Sequence, residues 1–565
     1  MKQISILYFL FFLSISAYAQ QISKADELFV DSIMNASYKH DAPGAVILIS
    51  KKGEPIFRKA YGLANMELNI PNKPENIFSI GSISKQFTSV CILKLAQEGK
   101  LSLQDDIKKY LSEYNSHGRH ITIENLLNQT SGITSYTEMK GYFLKSMIDQ
   151  SEEEMINFFM NDSLLFEPGT DWSYSNSNYI LAGIIIEKVS GKPLTEFYTQ
   201  NIFTPLEMSN TSVGSHDTII ANAASGYRSA DAGKYKPAVY ESRSWDLGCG
   251  GIISCVDDML KWDNALYTDK IVKQEWLKKA WNPFLLPNGK ETNYGLGWGI
   301  SNYNGLQIIQ HSGAIPGFMS DGFRIPSQQL YISILTNNEA VGPWDISTDV
   351  AMRLTGQKIT KSTIVKINKK DLNEYTGVYQ IHRVGSRIAT NYTDEKLYRY
   401  NTIEGDSLFS QPAGGSKEVL LCIGKNLFVG EESDTRFLFN RNKKGDITSL
   451  EMYTEPLTYG PNEIELKTNL PLPKKKVALA LDVKTLEQFK GKYSLGGGDF
   501  ILVSVADNKI YIQETGEKKQ EIFAENETKF FLKSIDATIE FKKENGKVTC
   551  LVLNQAGKTA GKKVE

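Results

Sequence analysis

The chain has 565 residues, too many for one hydrophobic core, so two to four domains are expected. Hydrophobic residues make up 41% and charged residues 23%, an ordinary globular composition that excludes disorder along the chain as a whole. With 63 basic against 65 acidic residues the formal net charge is −2, which excludes a general attraction to nucleic acid or to an anionic membrane surface.

The chain opens with "MKQISILYFLFFLSISAYAQ". One lysine, an apolar run from Ile4 to Ile15 and then Ala17-Tyr18-Ala19 form the pattern of a secretory signal peptide over residues 1–19, cleaved after Ala19. The run is short for a membrane span, and no later stretch is long enough for one. No cysteine follows the cleavage point to carry a lipid. The expectation is a periplasmic or secreted mature protein starting at Gln20.

A helix is predicted from Ala25 to Ser37, then two strand-like runs, "GAVILIS" and "PIFRKAYGLA", around Lys-Lys-Gly. From Ser84 to about Lys279 helical patterns and loops dominate. Strand character returns in "LQIIQHSG" and in "GFRIPSQQLYISILTN", where two extended runs flank a turn; a helix over Asp345–Leu354 closes the unit. Strands at both ends of a helical block predict a mixed α/β domain, residues 20–357, with a sheet assembled from sequence-distant pieces.

Past Thr355, "GQKITKSTIVKINKK" reads as a lysine-rich linker. The rest is strand-like and repeats itself: "DLNEYTGVYQ" (Asp371 to Gln380) and "TLEQFKGKYS" (Thr485 to Ser494) share Leu-x-x-aromatic-x-Gly-x-Tyr. Toward each end, "FLFNRNKKGDITSLEM" and "TIEFKKENGKVTCLVL" both give strand, polar turn, strand, and "NLPLPKKKVALALD" links the copies. Two small antiparallel β-barrels are predicted, residues 371–467 and 482–565, with one continuous β domain as the alternative.

Five cysteines (Cys91, Cys249, Cys255, Cys422 and Cys550) are irregularly spaced, and no CxxC occurs. Cys91 reads as a buried small hydrophobe, while a Cys249–Cys255 disulfide stands as an alternative to free thiols. The six histidines are scattered without an HExxH pair, so no metal site and no cofactor are implied.

Chemistry concentrates in three places. In "FSIGSISKQFTSVCILKLAQ", Ser82 and Lys85 stand three apart at the mouth of an apolar helix, a spacing that puts hydroxyl and amine on one side. A serine hydroxyl attacks only when something takes its proton. Phe87, Val90, Cys91 and Leu95 can bury the lysine, and unpaired N–H groups at the helix start favour a developing oxyanion. The bland reading is a helix cap followed by a solvated lysine. The second place, "EPGTDWSYSNSNYILAG", holds the chain's only Tyr-x-Asn, Tyr174-Ser175-Asn176. Its Ser and Asn residues can simply cap the next helix. Alternatively the Tyr174 phenol acts as base toward Ser82 and acid toward the leaving group, with Asn176 donating to a substrate amide. The third, "IIQHSGAIPGF", holds the only His-x-Gly, His311-Ser312-Gly313. It reads either as a strand end with turn glycines or as an edge that binds extended substrate, where the Ala314 N–H joins that of Ser82 as oxyanion hole.

Ser-x-x-Lys, Tyr-x-Asn and His-x-Gly in this order resemble the three motifs of the penicillin-recognising serine hydrolases. The segments "ENLLNQTSGI", "FEPGTDWSYSNSNYILAGIIIEKVSG", "GGIISCVDDMLKW" and "YGLGWGI" are similar to the class C β-lactamase-like branch, over roughly Ala25 to Leu354. The resemblance implies a β-lactamase/transpeptidase-like fold, an antiparallel sheet flanked by helices plus a helical subdomain, with the site in the groove between them. It assigns Ser82, Lys85 and Tyr174 to catalysis, Asn176, His311 and Gly313 to substrate positioning and polarisation, and the Ser82 and Ala314 N–H groups to the oxyanion. Which of Lys85 and Tyr174 is the base stays open, because the two titrate as a pair. Two departures stand out: His311 occupies the place of a lysine in true β-lactamases, and Gln129 the place of a histidine before Thr-Ser-Gly, read as structural.

A catalytic unit with two lipocalin-like barrels resembles the D-stereospecific aminopeptidases, in which a loop of the last barrel restricts the active site. "SLGGGD" and "ETGEKKQEIFAENETK" are the candidate loops here. The implied substrates are short peptides, amides or esters, with amides of D-amino acids first. A carboxylesterase, a β-lactamase or D-Ala-D-Ala carboxypeptidase, and a non-catalytic peptidoglycan-fragment binder are the alternatives, and an oligomer is left open.

Overall fold

The computed structural model describes residues 21–564 except 140, 230–233, 290, 358–363, 384–397, 432, 434, 454–462, 475, 497–498, 515–518 and 556–557. The leader over residues 1–19 lies outside the described residues, as do residues 497–498 of one candidate barrel loop and 515–518 of the other, whose middle forms the strand Gln520–Ala524. Among the described residues no helix is long and apolar enough to cross a membrane.

Helix α1 (Lys24–Ser37) begins at a Ser23 cap, whose hydroxyl accepts from the Asp26 N–H, and buries Val30 and Met34. Strands β1 (Ala45–Lys51) and β2 (Glu54–Tyr61) follow as a hairpin. Their sheet is completed much later in the chain by β3 (Gly299–Tyr303), β4 (Leu306–Ile315), β5 (Phe318–Ile325) and β6 (Leu330–Thr336). The order is β3-β4-β5-β6-β1-β2, all antiparallel, with Ala45 opposite Thr336. Such central strands, covered on both faces, read as continuous apolar runs, and all seven residues of β6 are buried. The strand Gly299–Tyr303 was not anticipated from the sequence.

One face of the sheet carries α1 and the final helix Trp344–Leu354, packed around Ile47, Phe323, Ile332 and Val350. The other face carries the helical block, centred on α2 (Ser84–Gln97) and α3 (Asn176–Ser190). Both helices are buried nearly all round, polar residues such as Lys85, Thr88 and Asn178 included, as expected of helices at the centre of a core. Phe87 of α2 stacks on Trp262 at 4.1 Å between ring centroids.

The remainder forms two closed eight-stranded antiparallel barrels, the first with strands from Gly377–Arg383 to Glu463–Lys467, the second from Gly491–Gly496 to Lys558–Lys563. The sequence repeat marks the same internal plug in each. The Tyr379 phenol donates to the Tyr375 carbonyl at 3.0 Å, and the Tyr493 phenol to the Phe489 carbonyl at 2.6 Å. Tyr375 and Phe428 meet Phe439 edge-on, as Phe530 meets Phe541. The barrels touch directly: Ser416 bridges to Ile535, and the Lys417 N–H donates to the Ser534 carbonyl at 3.2 Å.

Candidate active site

A short 3-10 turn, Gly81–Ile83, runs straight into α2 and lifts Ser82 to the surface of the groove while Lys85 sinks into the core. The turn is held against the end of β4 at backbone distance. A Cβ on Gly81, which has φ +50°, would lie 2.8 Å from the Ala314 nitrogen, and one on Gly313 would lie 2.0 Å from the Ile80 carbonyl oxygen. The Ser320 hydroxyl clamps the same place, donating to the Ile80 carbonyl at 2.7 Å. Only glycine lets the serine turn and the strand edge approach this closely, and Ala314 is left exposed beside Ser82.

Lys85 has no exposed surface, so each of its three N–H donors needs a partner. They reach Ser82 Oγ at 2.9 Å, Asn176 Oδ1 at 2.7 Å and the Cys249 carbonyl at 2.8 Å. Among the described residues no carboxylate pairs with it. The Tyr174 ring lies 4.9 Å from Lys85 Nζ and the Tyr179 ring 5.5 Å, which surrounds the ammonium with π faces. A more distant negative charge is available in Asp246. Burial, and secondarily Glu241, push that carboxyl up to about 7, against the pull of Arg243 and Lys85.

Tyr174 arrives on the loop before α3 and Asn176 is the first residue of that helix, and Gln129 fixes the junction. Its Oε1 accepts from the Ser175 N–H at 3.0 Å and from Asn178 Nδ2 at 2.7 Å, in a backbone with φ +66°. Ser177 donates to the Thr134 carbonyl at 2.8 Å and accepts from the Tyr136 N–H at 2.9 Å. The Ser175 side chain does not cap α3, contrary to the capping expectation, because Asn176 and Ser177 turn toward Lys85 and the Thr134–Tyr136 segment. Asn176 spends its oxygen on Lys85 and keeps its amide nitrogen on the solvent side, 3.4 Å from Thr137 Oγ1.

His311 is buried on β4. Its Nδ1 donates to the Ser312 carbonyl at 2.6 Å, and in that tautomer Nε2 accepts from the Tyr294 phenol at 2.9 Å. Tyr294 meets Tyr174 edge-on with centroids 6.2 Å apart, and His311 lies 6.1 Å from Tyr174. Burial, with Tyr179 and Tyr174 close by, pushes the Tyr294 phenol well above its ordinary range and keeps it a donor. Sequence reading missed Tyr294 although it opens "YGLGWGI"; that a tyrosine after a turn would reach the histidine of another strand has no local signature. It also missed the Cys249 carbonyl, a backbone atom that no residue type announces.

The five cysteines are free thiols, and the Cys249–Cys255 disulfide is not formed. The two side chains enter different packing layers: Cys249 Sγ lies 3.3 Å from the Tyr136 phenol, whereas Cys255 packs with Ile77 and Ile253. Burial pushes the Cys249 thiol up to about 12, so it is inert beside Lys85.

Hydrogen bonds through Lys85 thus join the first two motifs, and the Tyr174 ring connects them to His311 of the third. The profile of the Beta-lactamase family matches residues 19–357. Penicillin-binding protein 4* of Bacillus subtilis (strain 168) is 30% identical over 318 residues, covering 53% of this chain and 69% of that protein. Among solved structures, D-amino acid amidase from Ochrobactrum anthropi SV3 is 25% identical with a TM-score of 0.51, over 59% of this chain and 99% of that one. The octameric penicillin-binding protein homologue from Pyrococcus abyssi shares the fold at 22% identity, with a TM-score of 0.54 over 86% of this chain and 97% of that one. A serine-bearing turn packed on a sheet edge, a buried lysine behind it and a family match across the whole unit lead to one assignment: this chain belongs to the β-lactamase family and is a serine hydrolase.

Proposed function

We propose that the protein hydrolyses amide bonds of short peptides containing D-amino acids through an acyl-enzyme on Ser82. The observation that carries this reading is the buried Lys85 ammonium, with one N–H on Ser82 Oγ and the other two on Asn176 and the Cys249 carbonyl. Here the Ser82 oxygen accepts from Lys85, and its own proton passes to the Tyr174–Lys85 pair, which receives it in the form that holds one proton fewer than ammonium plus phenol. Attack forms the Oγ–carbon bond, the carbonyl oxygen becomes an anion between the Ser82 and Ala314 N–H groups, and collapse expels the amine with the proton from the Tyr174–Lys85 pair. Water then repeats the sequence on the ester. Removing one oxyanion donor would cost about 2.7–4 kcal/mol of transition-state stabilisation.

His311 stands where true β-lactamases carry a lysine, so no lysine ammonium faces a substrate carboxylate beside Gly313, which supports amides above β-lactams. The structural similarity to an amidase whose crystals hold L-phenylalanine amide points the same way. Carboxylester hydrolysis is the second reading, because nothing in the groove demands a nitrogen leaving group. The leader sequence supports a secreted or periplasmic protein with Gln20 at the mature N-terminus, checked by sequencing the N-terminus of exported protein.

Fluorophosphonate should label the wild type and not Ser82→Ala; an unlabelled, folded wild type would leave only a binding protein. A panel of D- and L-aminoacyl p-nitroanilides, p-nitrophenyl esters and nitrocefin then ranks substrates. D-anilides should turn over fastest, and inert anilides with active esters would replace the amidase by an esterase.

A further inference from the structure

The first barrel has a charged interior that its fold does not require. Strand Tyr398–Glu404 turns Arg399 and Asn401 inward, Ser407–Pro412 turns Ser410 inward, and Glu463–Lys467 turns Glu463 and Glu465 inward. None of the five is more than 4% exposed. Arg399 donates to Glu465 Oε1 at 2.6 Å, to Glu463 Oε2 at 3.2 Å and, more weakly, to Ser410 Oγ at 3.4 Å; its Nη2 also lies 3.2 Å from Met452 Sδ.

The second barrel supplies the control, since strand register makes the positions equivalent. Tyr379 pairs with Arg399 as Tyr493 pairs with Ile501, and Gly377 with Asn401 as Gly491 with Val503. Asn401 pairs with Ser410 as Val503 with Ile512. On the far side, Met452 and Leu450 pair with Glu463 and Glu465 as Leu553 and Leu551 pair with Thr559 and Gly561. The same barrel therefore closes with Ile501, Val503, Ile512, Thr559 and Gly561 where the first has a cation, an amide, a hydroxyl and two carboxylates. Replacing a buried ion cluster by apolar groups is often neutral or stabilising, so the charged set costs stability without being needed for closure.

Nor is the set self-sufficient. Among the described residues, both amide atoms of Asn401 and the Oε2 of Glu465 are buried with no partner at normal hydrogen-bond geometry, Tyr379 and Glu463 being the nearest polar neighbours and the Tyr379 phenol donating to its own Tyr375 carbonyl. Burial raises the Glu465 carboxyl to about 7, opposed by Arg399. One guanidinium serves two carboxyl groups, so what is missing is N–H donors, plus one acceptor for the Asn401 amide nitrogen. Phe428, Phe437 and Phe439 are buried in the same interior, and a barrel of eight strands has room beside its side chains for at most one small ligand.

We propose that the first barrel binds a small primary ammonium compound with a carbonyl next to the amine. The ammonium sits on Glu465 Oε2 and Asn401 Oδ1, and the carbonyl accepts from Asn401 Nδ2. This site is independent of the reaction assigned to Ser82.

Glycinamide is the probe, titrated calorimetrically into the full chain carrying Ser82→Ala so that turnover adds no heat. The comparison proteins add either Asn401→Val or the five substitutions Arg399→Ile, Asn401→Val, Ser410→Ile, Glu463→Thr and Glu465→Gly, which write the second barrel's residues into the first. Saturable binding should weaken at least tenfold in both, while tetramethylammonium, which lacks N–H donors, should not bind. Equal affinity in all three proteins would place the probe elsewhere and overturn the proposal, as would binding of tetramethylammonium. If the fivefold variant fails to fold, Asn401→Val carries the test alone, since it strands no charge. Crystals soaked in glycinamide that show ordered water only at Glu465 and Asn401 would also overturn it.

Discussion

Lys85 in the catalytic groove and Arg399 in the first barrel are both buried cations, held in opposite ways. Lys85 touches a hydroxyl, an amide oxygen and a backbone carbonyl, with rings on two sides and, among the described residues, no carboxylate paired with it. Arg399 is locked between Glu463 and Glu465. A cation solvated by dipoles can lose and regain a proton during a reaction, because no fixed counter-charge pins it. A cation locked by two carboxylates cannot, and serves only to organise what lies around it. The first arrangement belongs to chemistry and the second to binding or structure.

The largest effect that tests this contrast is on turnover. Lys85→Met should lower kcat/KM about a thousandfold, within the range for loss of a general acid–base group, and leave the protein folded. Unfolding of that variant would mean that Lys85 is structural. Arg399→Met should do the reverse, leaving turnover intact but costing about 3–5 kcal/mol of first-barrel stability by stranding two carboxylates. The two outcomes can be read separately because all seven tryptophans lie between Trp172 and Trp344, in the catalytic unit. Tryptophan fluorescence should therefore melt unchanged in Arg399→Met while the β-sheet circular dichroism melts earlier; loss of turnover in that variant would break the contrast.

A smaller effect is on pH. Glu465 keeps its proton to about 7 in the folded barrel and loses it near the ordinary carboxylate range once unfolded, so the folded state binds more protons between those values. That contribution is fully present below the unfolded value and is lost as pH rises through about 7. The urea midpoint of the first barrel should accordingly fall from pH 5 to pH 8, and Glu465→Gln should flatten it. The smallest effect sharpens the groove itself. Tyr294→Phe removes the phenol that donates to His311 Nε2 and should cost about 1 kcal/mol, roughly a fivefold fall in kcat/KM, without changing the melting of the catalytic unit.

The sequence was most legible where chemistry demands particular residue types at fixed spacing. Ser82 and Lys85, or Tyr174 and Asn176, leave few alternatives once they occur in order. The repeat was legible for a related reason: Leu, aromatic, Gly and Tyr together form a plug that needs all four. The inside of the first barrel was not legible. In "YRYNTIE" the eye assigns the tyrosines inward and the charge outward, yet Arg399 and Asn401 are the buried phase and Tyr398 and Tyr400 the half-buried one. Strand alternation gives the period but not which phase faces the core when both carry polar and aromatic groups. The closing strands "EIELK" and "KTAGKK" were passed over because their pairing with the first strand of each barrel, not their own composition, makes them strands. Gly299–Tyr303 escaped for the same reason.

The pairing of Ala45 with Thr336 sets a schedule for the ribosome. At about 5–20 residues per second, roughly 15 to 60 s pass between emergence of the first hairpin and of the strand that must flank it. During that interval the apolar segment Ala45–Ile49 has no edge to join on one side and is a ready client for a holding chaperone. Each barrel, by contrast, adds its strands one neighbour at a time and waits only for its last. Slowing synthesis should therefore increase losses from the front half of the molecule and spare the back.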